Sequence, residues 1–307
     1  MTPPSRIVSL LASGTELICE LGLGDRLVGR SHECDYPPWV VRLPVLSRPA
    51  FDATGTSREI DERVRARLRA GQPLYEVDEQ RLAELSPDVV ITQTHCEVCA
   101  VSPADLAHGA DPGGFREQVV ALSAGTLDGI LAGFSGVARA LGRPEQGEAL
   151  VQRERARLAR IASQTRDLVP RTVVCLEWVD PPFAMGNWGP ELVALAGGTC
   201  MLGTPGAHST TTPWDDVTRA DPEVLVVAPC GYGLERALSE IPLLERLPGF
   251  AALRAVRAGQ VFVADGNRFF NRSGPSAFET AEILAEILHP EIFAPVHRGS
   301  AWVALQP

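Results

Sequence analysis

Apolar and polar positions along this 307-residue chain follow two rhythms in turn: short continuous apolar runs, then longer stretches with helical spacing. The run from Arg6 to Leu11 predicts a strand, and it passes through Ala12, Ser13 and Gly14 into a helix capped by Thr15. That helix carries Leu17, Ile18 and Leu21 and stops at Gly22 or Gly24. A strand feeding a helix N-terminus in this way offers backbone N–H groups to an anionic ligand group. Leu27 to Arg30 predicts a second strand, which empties into His32, Glu33, Cys34, Asp35, Tyr36, Pro37 and Pro38. Charged helices are predicted over Asp61–Ala70 and Val77–Leu85. A buried strand is predicted over Asp88–Thr92, where Val89, Val90 and Ile91 run together. It empties into Thr94, His95, Cys96, Glu97, Val98 and Cys99. Leu127, Ile130, Leu131, Phe134, Val137 and Leu141 then mark a helix.

The next stretch organises the rest. Gly142 suits a helix end, Pro144 suits a first helical turn, and the run to Asp167 is rich in Ala, Leu, Glu, Gln and Arg. Leu150, Leu158, Ile161 and Thr165 fall near one face, while Arg153, Arg157 and Arg160 point elsewhere. At 1.5 Å per residue, roughly 24 residues reach about 36 Å, enough to cross between two lobes. A long surface helix on one domain is the alternative. Beyond it the pattern restarts. Thr172–Leu176 predicts a strand delivering Glu177, Trp178 and Val179; a loop holds Asn187 and Trp188; Glu191–Ala196 predicts a helix. Val224–Val227 predicts a strand delivering Pro229, Cys230, Gly231 and Tyr232. Val261–Ala264 predicts another, followed by Asn267, Arg268, Phe269, Phe270, Asn271 and Arg272. A closing helix is predicted over Ser276–Leu288, and loose chain only from His297 onward.

Length favours two cores over one. The 45% hydrophobic and 21% charged content is that of an ordinary globular protein, and a formal charge of −10 argues against a nucleic-acid partner. The longest apolar stretches fall short of the ~20 residues a membrane span requires, so no span is predicted. Seven cysteines, an odd count, point to a reducing compartment. As written, the chain predicts a cytoplasmic protein. Periplasmic or cell-surface residence is the alternative if the true start lies upstream.

In open α/β sheets ligands bind beyond the carboxyl ends of the strands, and those ends hold Tyr36, Trp178, Trp188, Tyr232, Phe269 and Phe270, with His32, His95 and His208 nearby. Aromatics make up only 6% of the chain, so this concentration points to a flat, mostly apolar ligand held by stacking. Cys19, Cys175 and Cys200 read as small buried hydrophobes. Cys96 and Cys99 have C-x-x-C spacing, and Cys34 and Cys230 could complete four thiolates for zinc or an iron–sulfur cluster. The same thiols could instead line a ligand pocket, or simply pack. No G-x-S-x-G elbow, Walker loop, H-E-x-x-H or G-x-G-x-x-G motif occurs. A nucleophilic Cys34 beside His32 would be the enzymatic alternative.

The segment from Ile7 to Gly29 and Cys34 to Pro37 resembles the opening of the periplasmic binding proteins that serve ABC importers for vitamin B12 and iron chelates. The resemblance extends through Leu85–Thr92, Asn187–Gly198, Asp221–Val227 and Val261–Phe270. The C-D-Y-P, C-x-x-C-A-V-S and P-C-G segments are similar to those of the cobalamin-binding branch. What the resemblance implies is an α/β fold of two Rossmann-like lobes joined by a single long α-helix, with a ligand cleft between them and little closure on binding. It implies lobes at 1–141 and 169–290, a backbone helix at 142–168, a last helix packing back on the first lobe, and a tail at 291–307. It implies no catalysis, a corrinoid such as cobalamin or a metal chelate as ligand, and docking on an ABC permease through one acidic residue per lobe. Tyr36 in the D-Y-P segment is the residue the resemblance assigns to the corrin. Trp188, Phe269 and Phe270 sit in matching loops, and Trp214 is a further candidate. The expected ligand set is therefore Cys34, Asp35, Tyr36, Cys96, Trp178, Trp188, Cys230, Tyr232, Asn267, Phe269 and Phe270. Asn267, Asn271 and Arg272 would serve the ligand's peripheral amides, and His32, His95 or a thiol its metal.

Overall fold

The structure, a computed structural model, describes residues 3–94, 100–101 and 119–305. In the first half the strands are β1 (Ile7–Ser9), β2 (Leu27–Arg30), β3 (Ser47–Pro49), β4 (Tyr75–Val77), β5 (Val89–Gln93) and β6 (Val119–Leu122). β2, β1, β5 and β6 form a parallel sheet in that order, while β3 and β4 pair antiparallel as a separate ribbon. The helices are α1 (Ala12–Glu20), α2 (Ser57–Arg69), α3 (Glu79–Leu85) and α4 (Leu127–Ala140).

Then comes α5, Pro144–Thr165, close to the span its composition predicts. The second half holds β7 (Arg171–Val179), β8 (Pro182–Ala184), α6 (Gly189–Leu195), β9 (Gly198–Cys200), β10 (Thr210–Thr211), α7 (Trp214–Ala220), β11 (Val224–Val227), α8 (Leu234–Glu245), β12 (Val261–Ala264), α9 (Ser276–Leu288) and β13 (Trp302–Ala304). Its sheet runs β10-β8-β7-β11-β12-β13, with β9 also on β7. The pairs β7–β11, β11–β12 and β7–β9 are parallel, while β10–β8, β8–β7 and β12–β13 are antiparallel. β11 and β12 are buried along their whole length, as continuous apolar runs in a sheet covered on both faces should be.

The local differences from expectation have local causes. α1 starts at Ala12 with no side-chain cap, and Thr15 lies inside the helix, donating its hydroxyl to Cys34 Sγ at 3.0 Å. α2 starts at Ser57 instead of Asp61, because Thr56 and Glu59 close a reciprocal capping box. Val77 belongs to β4, and α3 begins after Asp78, whose carboxylate accepts from Arg81 N–H at 2.9 Å. The segment after His297 is not loose. β13 completes the second sheet, and buried Trp302 donates its Nε1–H to Glu286 at 2.8 Å.

α5 does not stand alone between the lobes. It crosses α4 at Gly147, where a Cβ would sit 2.3 Å from Ala138 Cβ. Arg153 reaches Glu20 of α1 at 2.8 Å, and Arg157 and Arg160 both pair with Glu282 of α9. Phe278 of α9 packs on Phe134 of α4 with ring centroids 5.8 Å apart. One continuous apolar core accordingly takes in Ile7, Leu17 and Leu131 of the first lobe, Leu150 and Ile161 of α5, and Val173, Leu192 and Val226 of the second.

Candidate ligand-binding site

The carboxyl ends of the two sheets turn toward a shared cavity of about 560 Å³, within the usual range for small-molecule sites. The first lobe supplies His32, Glu33 and Asp35 after β2, Pro49 and Phe51 around the end of β3, Tyr75 of β4, and Ile60, Asp61 and Val64 from one face of α2. The second supplies Glu177 and Trp178 from β7, Phe183 from β8, Asn187 and His208 from loops, and Cys230, Gly231, Tyr232 and Asn267 beyond β11 and β12. Asn187 sits in the left-handed region at φ 50°, which asparagine tolerates better than most side chains.

Both flanks of the cavity are bridged. On one, α2 reaches across: Arg58 makes a two-pronged pair with Asp180, each arm 2.9 Å, Ser57 N–H donates to Glu240 at 3.2 Å, and Trp178 Nε1–H donates to Ser57 O at 3.2 Å. On the other, buried Arg272 donates to Glu16 at 2.9 Å and to Asp35 at 2.6 Å, and Asn267 donates to Asp35 at 2.7 Å. Burial pushes the Glu16 carboxyl upward, with the Arg272 guanidinium working against that rise.

Several expected ligand residues meet here. Asp35, Trp178, Cys230, Tyr232 and Asn267 line the cavity, with the Trp178 and Tyr232 rings 5.1 Å apart and tilted by 51°. Burial raises the Tyr232 phenol above its ordinary range. Other expected residues go elsewhere. Tyr36 is half-buried under the Arg268 guanidinium, which lies 3.7 Å from its ring centroid, and it is not in the cavity wall. Phe269 and Phe270 turn inward on the π-helical turn Gly266–Phe270 and join the core, as does Trp188. That turn requires glycine at 266, since a Cβ there would fall 2.1 Å from Pro229 O. Trp214 stacks on Phe250 and donates to Pro248 O at 2.8 Å. Asn271 is committed to the carbonyls of Ala228 and Gly266, and Arg272 to the carboxylates that join the lobes, so neither is held out for a ligand's amides. The α1 N-terminus is covered by the second lobe, with Gly274 so close to Ser13 that a Cβ would lie 2.7 Å from Ser13 Cβ. Only a small cavity of about 40 Å³ remains beside it, lined by Leu11, Ser13, Asn271 and Arg272 among others.

Cys34 is wholly buried, with its Sγ among Thr15, Ser31 and Ser9 O, and burial raises its thiol. It does not line the cavity, whereas Cys230 does. His95, Cys96 and Cys99 lie outside the described residues, and among the described residues no group of three or more His, Cys, Asp or Glu is placed to hold a metal ion. A four-thiolate site therefore gains no support, and burial removes Cys34 from the role of exposed nucleophile. Among the described residues no helix is long and apolar enough to cross a membrane.

Sequence reasoning missed Phe51, Tyr75 and Phe183. Tyr75 and Phe183 lie on three-residue strands and Phe51 just beyond another, and strands of that length leave no periodicity to read. His32, by contrast, is in the wall. Its Nδ1 lies 2.9 Å from Ser47 Oγ, and burial, helped by Arg30, lowers its pKa to about 4.

The chain is 25% identical over 226 residues to a vitamin B12-binding protein of Vibrio campbellii, covering 73% of this chain and 70% of that protein. Its fold is similar to that of the periplasmic vitamin B12 binding protein BtuF of Vibrio cholerae (TM-score 0.66, 22% identity, 94% of this chain and 98% of that one). It is also similar to that of a periplasmic heme binding protein of Pseudomonas aeruginosa, with a higher TM-score (0.71, 22% identity, 94% of each chain). These likenesses fix the two-lobed α/β architecture. The family model described as periplasmic binding protein matches residues 7–267, and its description lends nothing to the cytoplasmic expectation. With that match spanning most of the sequence and both walls of the cavity, the chain belongs to the periplasmic binding protein family, whose members bind solutes and do not transform them.

Proposed function

We propose that the cavity binds a corrinoid of the cobalamin type and that the protein delivers it to an ABC permease outside the cytoplasmic membrane. The observation that carries this reading is the charge of the wall. Glu33, Asp35, Asp61 and Glu177 line it together with Phe51, Tyr75, Trp178, Phe183 and Tyr232, and among the described lining residues there is no arginine or lysine. The chain has no lysine at all. Arg65 and Arg272 stand behind the wall, paired with Asp61 at 2.6 Å and Asp35 at 2.6 Å. A ring edged with carboxylates, such as haem, would bring its charges against acceptors and find no cation among the described lining residues. A corrin edged with carboxamides brings N–H donors, which carboxylates accept, and a flat body for the aromatic faces. The similarity to a vitamin B12-binding protein supports the same choice.

Equilibrium dialysis of the full chain against cobalamin, diaquocobinamide and haemin tests it. Retention of a corrinoid with a shifted absorption spectrum, and at least tenfold weaker retention of haemin, is the expected result. Equal or preferential retention of haemin overturns the reading.

A further inference from the structure

The cavity wall contains one side chain held as a metal ligand is held. His32 follows β2, and its backbone N–H donates to Ser47 Oγ at 3.2 Å while its Nδ1 lies 2.9 Å from the same oxygen. Ser47 opens β3, which pairs with β4, and the ring of Tyr75 in β4 lies 5.5 Å from the imidazole at 40°. One edge and one face of the imidazole are thus fixed by the same two-stranded ribbon. Ser47 Oγ accepts the backbone N–H of His32 and has a second lone pair for a hydrogen on Nδ1, and it is the tautomer protonated there that leaves a lone pair on Nε2. Nε2 has no partner among the described residues. Metal-binding histidines are oriented in this way, by a hydrogen bond from the ring nitrogen that does not bind.

We propose that His32 Nε2 is an axial ligand to the metal of the bound corrinoid. The step is a ligand exchange: the imidazole lone pair forms a bond to cobalt, one axial water leaves, and no electron is transferred. Imidazole suits first-row transition metals better than the hard carboxylates around it. His208, the other described histidine of the wall, is exposed on the loop before β10. This assignment rests on the corrinoid reading.

The test uses the full chain and cob(II)inamide, a corrinoid with no nucleotide base of its own, so that any axial nitrogen comes from protein. Electron paramagnetic resonance of the complex should show the cobalt lines split into triplets by one nitrogen, collapsing to doublets in protein labelled with nitrogen-15 histidine. His32→Ala should lose the splitting and bind about tenfold more weakly, and added imidazole should restore the triplets. His32→Gln, which keeps the side-chain volume, should also lose them. Bound cobalt without nitrogen splitting, or triplets that persist in both variants, refutes the role of His32 and leaves the corrinoid reading standing. Failure of cobinamide to bind at all removes both.

Discussion

Removing the guanidinium of Arg272 tests whether the lobes are locked together beside the cavity. Its side chain is 6% exposed and faces Glu16, 2% exposed, at 2.9 Å, and the half-exposed Asp35 at 2.6 Å. In Arg272→Met the Glu16 carboxylate keeps only the Ser276 N–H at 3.2 Å and its hydroxyl at 2.6 Å. Taking one partner from a buried pair costs about 3–5 kcal/mol, whereas the bond to exposed Asp35 is worth about 1 kcal/mol or less. At ~2–4 °C per kcal/mol, the melting temperature should fall by roughly 6–20 °C, measured by circular dichroism at pH 7.5. The pH dependence gives the mechanism. Burial already raises the Glu16 pKa, and losing Arg272 raises it further, so the folded variant binds a proton that the unfolded chain has released. Its stability therefore falls as pH rises through that window, and the deficit against wild type should be smaller at pH 5 than at pH 8. Adding Glu16→Gln should recover most of the loss at pH 7.5. A variant within 1 °C of wild type, or a deficit unchanged by pH, would refute the reasoning.

Gly147→Ala places a methyl group against Ala138 at the α4–α5 crossing. It should cost about 1–3 kcal/mol in urea denaturation, because the close-packed helix pair must spread. Trp178→Ala removes the ring that packs on Tyr232, and it should weaken corrinoid retention about tenfold by dialysis while the melting transition stays cooperative. By NMR, His32 should titrate near pH 4, and because the unfolded chain then binds more protons between about 4 and 6.5, the stability it contributes above that window should be lost as pH falls through it. Bound corrinoid should slow the reaction of Cys230 with a thiol reagent, while Cys34 stays unreactive in the folded protein with or without ligand.

What the sequence disclosed depended on how far an element's own residues determine it. β2, β11, β12 and α9 fall on their predicted spans, because a buried parallel strand or an amphipathic helix writes its burial into every residue. β3, β4, β8 and β10 were not legible, since two or three residues paired with distant chain carry no pattern of their own. The start of α2 was written as Thr56 to Glu59 but lay outside the apolar periodicity that marked the helix. At the site, position along the chain found the right loops and did not distinguish inward from outward side chains within them. Trp178 and Tyr232 turn to the cavity, while Phe269 and Phe270 follow a π-helical turn into the core. Arg272 and Asn271 read as ligand donors because nothing local shows that their partners, Glu16 and Ala228 O, come from 256 and 43 residues away.

The loops that hold the ligand wall are thus also the loops that hold the lobes together. Asp35 and Asn267 both line the cavity and bond to each other at its flank, and Trp178 shows its ring to the cavity while its indole N–H is tied to Ser57 O of the opposite lobe. A wall built this way is set before the ligand arrives, so little ordering of side chains is left to oppose binding. The same bonds limit opening. A wide hinge would break Arg58–Asp180, the Arg272 pairs and the core shared through α5 and α9 together. Entry of a large ring is then a matter of releasing one flank at a time. The α2 flank is the weaker candidate to stay closed, because its Arg58 is largely exposed whereas Arg272 is buried.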